Sequence, residues 1–295
     1  MKSTSRPLKW WMAGVALLIF SLLFYACQKE VSSSDSSIPP GKMQFSVYLT
    51  DGPTDYQKVL IDIKSIAVKL DTCHRNHDED HDYQGCDDDH DQINNHCEFW
   101  DTLSIHPGVY DLLKLRNGLD TLLASSFLLN GKIERIKFTL GDSNKVMVDS
   151  VYHPLHLAFN QHYVFVDIRR DHLDSLSSNN FQLYLDFNLN RSIWYLGGSY
   201  WLKPVLKPFG RHSTGEIEGK VRPEHSFGMI KAYNATDTAY ALPWWDEGEF
   251  KIRGLKEGTY NLLITGANGY KDSTITNISV MRGKETDVNT IVLHK

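Results

Sequence analysis

The stretch FQLYLDF, at residues 181–187, decides the fold class of this chain. Apolar side chains occupy every second position from Phe181 to Phe187, which is the period of a β-strand with one buried face. No apolar pattern of helical period extends beyond about three turns. The same alternation recurs at residues 43–49, 136–140, 146–148, 164–168, 250–252 and 262–264, and residues 215–221 also read as a strand. Many short strands separated by turn residues predict an all-β protein built from β-sandwiches.

Two local features refine this strand pattern. Between Ile63 and Ile66 the apolar residues change from odd to even positions, which predicts a β-bulge in the strand around them. Short apolar groups also predict helical turns at residues 109–115, 119–126 and 172–177. The expected fold is therefore a set of strands with a few short helical turns in the connections.

A break in the strand pattern divides the chain into two parts. The alternation is interrupted near residues 209–214 by Pro204, Pro208, Gly210 and Ser213. A chain of 295 residues is also too long for a single small domain with one core, and its length fits two domains. We therefore predict two β-sandwich domains in tandem, at residues 43–209 and 214–295, with an acidic insertion at residues 71–98 of the first.

The N-terminus has the features of a bacterial export signal. Three basic residues precede an uncharged apolar run at residues 10–24, and Cys27 follows Ala26. The run is about 15 residues, shorter than the roughly 20 that a membrane-spanning helix needs. The segment LLFYAC, at residues 22–27, resembles the lipobox of bacterial lipoproteins. That resemblance implies a signal peptide at residues 1–26 and acylation of Cys27, as with palmitate; the alternative is an uncleaved membrane anchor.

The residues after Cys27 predict a location. Residues 27–42 are rich in Ser, Asp and Pro and cannot bury a core, so we expect a flexible tether. The sequence QKE, at residues 28–30, resembles the charged tag that sends some Gram-negative lipoproteins to the cell surface; the alternative is an ordinary linker. We expect an extracytoplasmic protein, lipid-anchored to the outer membrane of a Gram-negative bacterium and facing either the periplasm or the cell surface.

Charge is concentrated in the predicted insertion. The chain carries a formal net charge of −5, and residues 71–98 contain ten acidic side chains against a single basic one, Arg75. The remainder has no cluster of basic residues, so we expect no nucleic-acid partner.

The insertion contains the chain's candidate metal ligands. Carboxylates favour hard cations such as calcium, and imidazoles favour zinc or copper. Asp87, Asp89, Asp91 and Glu98 have the spacing of ligands in a calcium loop, although Gln92 replaces the glycine that such loops require. Further candidates are the carboxylates of Asp78, Asp80 and Asp82 and the imidazoles of His74, His77, His81, His90 and His96. The sequence thus predicts calcium or zinc binding; the alternative is a charged surface loop that holds cations loosely.

The insertion also holds three cysteines, Cys73, Cys86 and Cys97. Thiols outside the cytoplasm tend to oxidise. Three pairings are open, each leaving one thiol over, and we expect Cys86 to pair with Cys97 at the base of the loop. In the chain-entropy model, closing that segment would raise the free energy of unfolding by about 2–3 kcal/mol. The same disulfide would compete with ligation of a metal by the cysteine thiolates.

Two tryptophans form a second candidate site. Trp244 and Trp245 follow Pro243 and precede a turn, which predicts an exposed patch for a sugar ring or a partner protein. The alternative is that one of the two belongs to a core. The sequence contains no zinc-protease helix motif, nucleophile elbow or phosphate-binding glycine loop, so we expect no catalysis.

Both predicted domains resemble known families. Residues 215–221, the turn at 246–250, GLKEGTY at 254–260 and Gly269-Tyr270 together resemble the carboxypeptidase regulatory-like family of seven-stranded sandwiches. That resemblance implies an accessory domain without catalytic residues. In the first domain, four motifs resemble a family of bacterial lipoprotein domains with no assigned function, domain of unknown function four-three-eight-two (DUF4382). They are VLIDIKSIAVKL from Val59, VYDLLKLRNG from Val109, IERIKFTLG from Ile133 and YWLKPVLK from Tyr200.

The predicted function is that of a membrane-anchored, extracytoplasmic lipoprotein acting as a non-catalytic binding or accessory module. Its expected partners are the membrane, through the lipid anchor, and a glycan or protein at the cell surface. The alternatives are a structural spacer or accessory subunit of a surface complex, and, less favoured, a hydrolase.

Overall fold

The computed structural model describes residues 38–51, 54, 56–73, 97–115 and 117–295. The predicted signal peptide, Cys27, most of the tether and the centre of the acidic insertion lie outside these residues. Among the described residues, no helix is long and apolar enough to cross a membrane.

The structure is all-β, as predicted. The first fourteen strands are β1 (Lys42–Asp51), β2 (Lys58–Asp71), β3 (Glu98–Thr102), β4 (Gly108–Asp111), β5 (Thr121–Leu129), β6 (Lys132–Leu140), β7 (Lys145–Val148), β8 (Val151–Leu157), β9 (Tyr163–Asp167), β10 (Leu173–Ser177), β11 (Asn180–Phe187), β12 (Ile193–Leu196), β13 (Ser199–Leu202) and β14 (Leu206–Phe209). The remaining strands are β15 (Gly215–Arg222), β16 (Phe227–Tyr233), β17 (Thr238–Ala241), β18 (Glu249–Leu255), β19 (Gly258–Gly266), β20 (Ser273–Val280) and β21 (Glu285–Val292). One short helix, α1 (Leu189–Ser192), and 3-10 turns at Leu112–Leu115, Ala158–Asn160 and Arg170–His172 complete the described elements.

Strands β1 to β14 form two sheets around one hydrophobic core. The five-stranded sheet has the order β10-β11-β1-β5, with β14 also paired to β11. The nine-stranded sheet has the order β12-β13-β8-β7-β2-β6-β9, with β3 and β4 also paired to β2. Alternate side chains of both sheets meet in this core, among them Phe45 and Leu183 from the first sheet and Ile66 and Phe138 from the second. The register of β2 against β6 shifts between Ile63 and Ser65, which confirms the predicted bulge.

Strands β15 to β21 form a second pair of sheets with a separate core. Their orders are β18-β15-β21 and β17-β16-β19-β20, and Ile217, Phe250 and Tyr260 are among the buried side chains that meet between them. Residues 39–295 nevertheless form one compact unit, and polar contacts join the two halves. Asn117 donates a hydrogen bond to the Leu242 carbonyl at 2.7 Å. Independent folding of residues 43–209 and 214–295 stays a prediction.

Two of the predicted helical turns are wrong. Residues 119–126 contribute to β5, which pairs with β1, and residues 172–177 contribute to β10, which pairs with β11. The third prediction is met in part, because residues 112–115 form a 3-10 turn directly after β4. Pairing with a neighbouring strand overrides the weak local preference of these short apolar groups.

Candidate functional site

The acidic insertion leaves the nine-stranded sheet and returns to it at one point. Strand β2 ends at Asp71 and β3 begins at Glu98, and these two residues lie directly opposite each other in the antiparallel pair. Beyond them, the Thr72 amide and hydroxyl both donate to the Cys97 carbonyl, at 3.0 and 3.1 Å. The described ends of the insertion, Thr72 and Cys97, are therefore fixed beside each other by the pairing of β2 with β3.

A disulfide closes this point of exit and return. Cys73 and Cys97 are bonded, with their Cα atoms 5.2 Å apart. The expected pairing of Cys86 with Cys97 is therefore wrong. The strand register explains the difference, because it sets Thr72 opposite Cys97 and so brings Cys73, the next residue, within disulfide reach of Cys97. Cys86 lies outside the described residues.

Three carboxylates gather beside the disulfide. Asp71, Glu98 and Glu134 come from β2, β3 and β6, and one carboxylate oxygen of each lies within 4.8 Å of the others. Of these three, the sequence alone predicts only Glu98 as a ligand. Asp71 and Glu134 could have been added only from the strand pairing, which sets β3 and β6 on opposite sides of β2.

Two lysines partly neutralise this carboxylate cluster. The Lys69 ammonium forms an ion pair with Glu98 and lies 3.4 Å from a Glu134 oxygen. The hydrogen bond to Glu98 raises the pKa of Lys69, with further support from Glu134. Lys132 lies 3.3 Å from the other Glu134 oxygen. Asp71 accepts a hydrogen bond from the Cys73 amide at 2.9 Å.

The chemistry of this cluster suits a hard cation. Carboxylate oxygens are the ligands that calcium prefers, but calcium takes about six to eight oxygens, and any ion would compete with Lys69. The additional oxygens would come from the insertion or from water. All of the other predicted ligands lie outside the described residues, so their roles stay predictions; they are Asp78, Asp80, Asp82, Asp87, Asp89, Asp91, His74, His77, His81, His90 and His96.

The predicted tryptophan patch is smaller than expected. Trp245 is 54% exposed, and its ring stacks on His225 with centroids 4.4 Å apart. Phe227 packs edge-on against the same ring at 6.4 Å. Trp244 is half-buried and lines a groove together with Lys220 and Glu249. Trp245 is thus the more exposed of the two rings.

Comparison with known proteins gives one family match. A family model described as "Domain of unknown function (DUF4382)" matches residues 42–204. No curated protein matches the sequence.

Two solved pilin structures align with the chain over most of its length. The minor pilin GBS52 of Streptococcus agalactiae is 12% identical over 85% of this chain and 96% of the pilin, with a TM-score of 0.21. The shaft pilin SpaA of Lactobacillus rhamnosus GG is 10% identical over 85% of this chain and 97% of the pilin, with a TM-score of 0.22. At these TM-scores, neither alignment carries an argument about this chain.

Proposed function

The chain belongs to the DUF4382 family of domains of unknown function, and from that premise we propose that it is an extracytoplasmic lipoprotein acting as a non-catalytic binding or accessory module. In this proposal acylated Cys27 anchors it to the outer membrane. The acidic insertion binds a divalent cation, and the C-terminal sandwich at residues 214–295 is an accessory domain.

The closed base of the insertion is the observation that best supports cation binding. The formal balance of residues 71–98 is nine negative charges, and like charges confined to one loop repel each other, so a cation that neutralises them is favoured. The disulfide between Cys73 and Cys97 joins the two ends of the insertion. It therefore lowers the conformational entropy that the insertion would lose when it binds a cation. Asp71, Glu98 and Glu134 offer three oxygens at the same place.

Calcium is expected to bind through Asp87, Asp89, Asp91 and Glu98. Because Gln92 stands where the loop needs a glycine, we expect a dissociation constant in the range of extracellular calcium modules, roughly 0.1–1 mM. Isothermal titration of the detergent-solubilised full chain with calcium chloride measures it. Zinc or copper would instead use the five histidines, and their binding would weaken as the pH falls through the ordinary histidine pKa near 6.5.

Two matched triple variants make this test specific. Replacing Asp87, Asp89 and Asp91 by Asn should abolish calcium uptake, whereas the same change at residues 78, 80 and 82 removes equal charge outside the predicted loop and should weaken it only modestly. A third chain, with residues 74–96 replaced by a short Gly-Ser turn, should remain folded. Equal uptake by wild type and this deletion would rule out a site in the insertion; unfolding of the deletion would show that the insertion is structural.

Lipid anchoring has its own test. Replacing Cys27 by Ala removes the only thiol that the lipobox resemblance identifies as acylated, so the variant should enter the soluble fraction or remain an uncleaved precursor. Membrane fractionation of the producing cells, with mass spectrometry of the N-terminus, distinguishes these two outcomes. A variant that is trimmed at residue 26 and still retained by the membrane would contradict the proposal.

A further inference from the structure

A row of three rings crosses three neighbouring strands at one edge of the nine-stranded sheet. Trp194 of β12 lies opposite Trp201 of β13, and Trp201 is in register with His156 of β8. Residues in register on neighbouring strands point to the same face of a sheet. The rings of His156 and Trp201 have centroids 5.5 Å apart. We call Trp194, Trp201 and His156 the aromatic row.

The aromatic row lies on the face that points away from the core. The residues that alternate with it, Leu155, Leu157 and Leu202, are buried in the first core. His156 is exposed, and both tryptophans are only half-buried. The Trp201 indole N–H donates to the Leu196 carbonyl at 3.2 Å, which fixes the orientation of the ring. The row is thus a partly exposed ring surface, held by the sheet and not needed to fill the interior.

This surface forms one wall of an open cleft of about 700 Å³. Phe159 and Asn160, in the turn after β8, line the cleft with the aromatic row, as does Asp142, whose side chain is 85% exposed. Ligand sites are usually concave and largely apolar, with a few polar groups that orient the ligand. The cleft has this composition.

Phe159 supplies an independent sign of function. Its φ and ψ angles are 56° and 19°, and Asn160 follows with φ of 53°, so two consecutive non-glycine residues adopt the left-handed conformation. This conformation is unfavourable for a phenylalanine. The ring is 86% exposed, so burial does not offset the cost. Such strain concentrates at functional sites, where the held geometry serves a ligand.

The charges around the cleft restrict the class of ligand. Among its lining residues that the structure describes, none is lysine or arginine, and Asp142 is the one carboxylate. An anionic ligand is therefore disfavoured. A sugar ring fits, because its C–H face can stack on a flat ring while its hydroxyls bond to amide, imidazole and carboxylate groups. Neighbouring strands are about 4.8 Å apart, so the row can contact successive sugar rings.

We propose that the cleft between the aromatic row and Phe159 is a binding site for a neutral glycan chain. The inference rests on the proposed role as a binding module and names its ligand class. It uses no residue of the acidic insertion, so failure of the calcium titration leaves it intact.

Native gel electrophoresis in the presence of polysaccharide tests this site. The detergent-solubilised full chain is run in gels with and without galactomannan, xyloglucan, mixed-linkage β-glucan or soluble starch. At least one polysaccharide should retard the chain. Combined replacement of Trp194 and Trp201 by Ala should raise the apparent dissociation constant at least ~10-fold, as expected for loss of central aromatic contacts. Trp100→Ala, which removes an exposed ring of β3 outside the cleft, should bind like wild type.

Phe159→Gly separates a ligand contact from a structural role. Glycine adopts the left-handed conformation without strain, so this variant should keep or raise the thermal midpoint while its retardation falls. It also provides the decisive test if the double tryptophan variant does not fold. Absence of retardation in all four gels, unchanged retardation of Phe159→Gly, or loss of retardation in Trp100→Ala alone would overturn the proposal.

Discussion

Replacing Tyr260 by Ala is expected to lower the free energy of unfolding by about 3–5 kcal/mol, the usual cost of deleting a large buried aromatic ring. Tyr260 lies in β19 within the GLKEGTY motif, and it is 1% exposed in the core of the second sandwich. Its ring packs among the apolar side chains between the two sheets, so its removal would leave a cavity. Equilibrium unfolding in urea, followed by circular dichroism, measures the loss.

Tyr260→Phe is the matched control because it keeps the ring. The Tyr260 hydroxyl donates to Asp237 at 2.9 Å, and the other oxygen of Asp237 accepts from the Lys207 ammonium at 3.0 Å. The control should cost only about 1–3 kcal/mol, since it removes one hydrogen bond to a charged group. If both substitutions cost the same, packing of the ring is not the main contribution and the prediction fails.

The cost of Tyr260→Phe should also depend on pH. Burial alone would raise the pKa of Asp237, but the Lys207 charge and the hydrogen bonds from Lys207 and Tyr260 outweigh it and lower the pKa. A carboxylate whose pKa is lowered by folding contributes stability above its unfolded pKa, near 3.9, and loses it as the pH falls through the folded value. The difference in unfolding free energy between wild type and the Tyr260→Phe variant should therefore shrink below about pH 4.

Removing the disulfide is the second change with a large expected effect. Cys73 and Cys97 are 24 residues apart in sequence, and in the chain-entropy model a loop of this size contributes about 3 kcal/mol by restricting the unfolded chain. The double replacement by Ser should lose this amount in urea unfolding. Cys86→Ser is the matched control and should change stability by less than about 0.5 kcal/mol.

Peptide mapping supplies a direct check on the pairing. Proteolysis without reductant should give a linked peptide pair containing Cys73 and Cys97, and Cys86 should react with a thiol reagent. A linked pair containing Cys86, or an equal loss of stability in Cys86→Ser, would refute the assignment.

The sequence predicts the strands well where apolar side chains occupy alternate positions. Residues 181–187 lie within β11, and the change of apolar phase after Ile63 marks a real bulge. Residues 119–126, predicted to form a helical turn, contribute instead to β5, because a short apolar group fits a helix as well as a strand. Their strand is fixed by pairing with β1, with a register shift at Val47, and this long-range contact leaves no local signal.

The candidate site was harder to predict because it depends on register. Glu98 could be proposed from its spacing within the insertion, whereas Asp71 and Glu134 join it only because β3 and β6 flank β2. The disulfide also depends on strand pairing, because Cys73 and Cys97 meet at the end of the paired strands β2 and β3. The aromatic row likewise combines residues from three strands whose order in the sheet differs from their order in the chain.

The disulfide between Cys73 and Cys97 also makes the connection between β2 and β3 a suitable place to insert foreign sequence. The Cα atoms of Cys73 and Cys97 stand 5.2 Å apart, close to the separation of two adjacent strands. A tight turn and an entire folded domain can both span that gap without moving β2 or β3. Lineages can therefore lengthen, shorten or exchange the segment while the sheet stays constant, and an engineer can graft an epitope or a fluorescent reporter there by the same route.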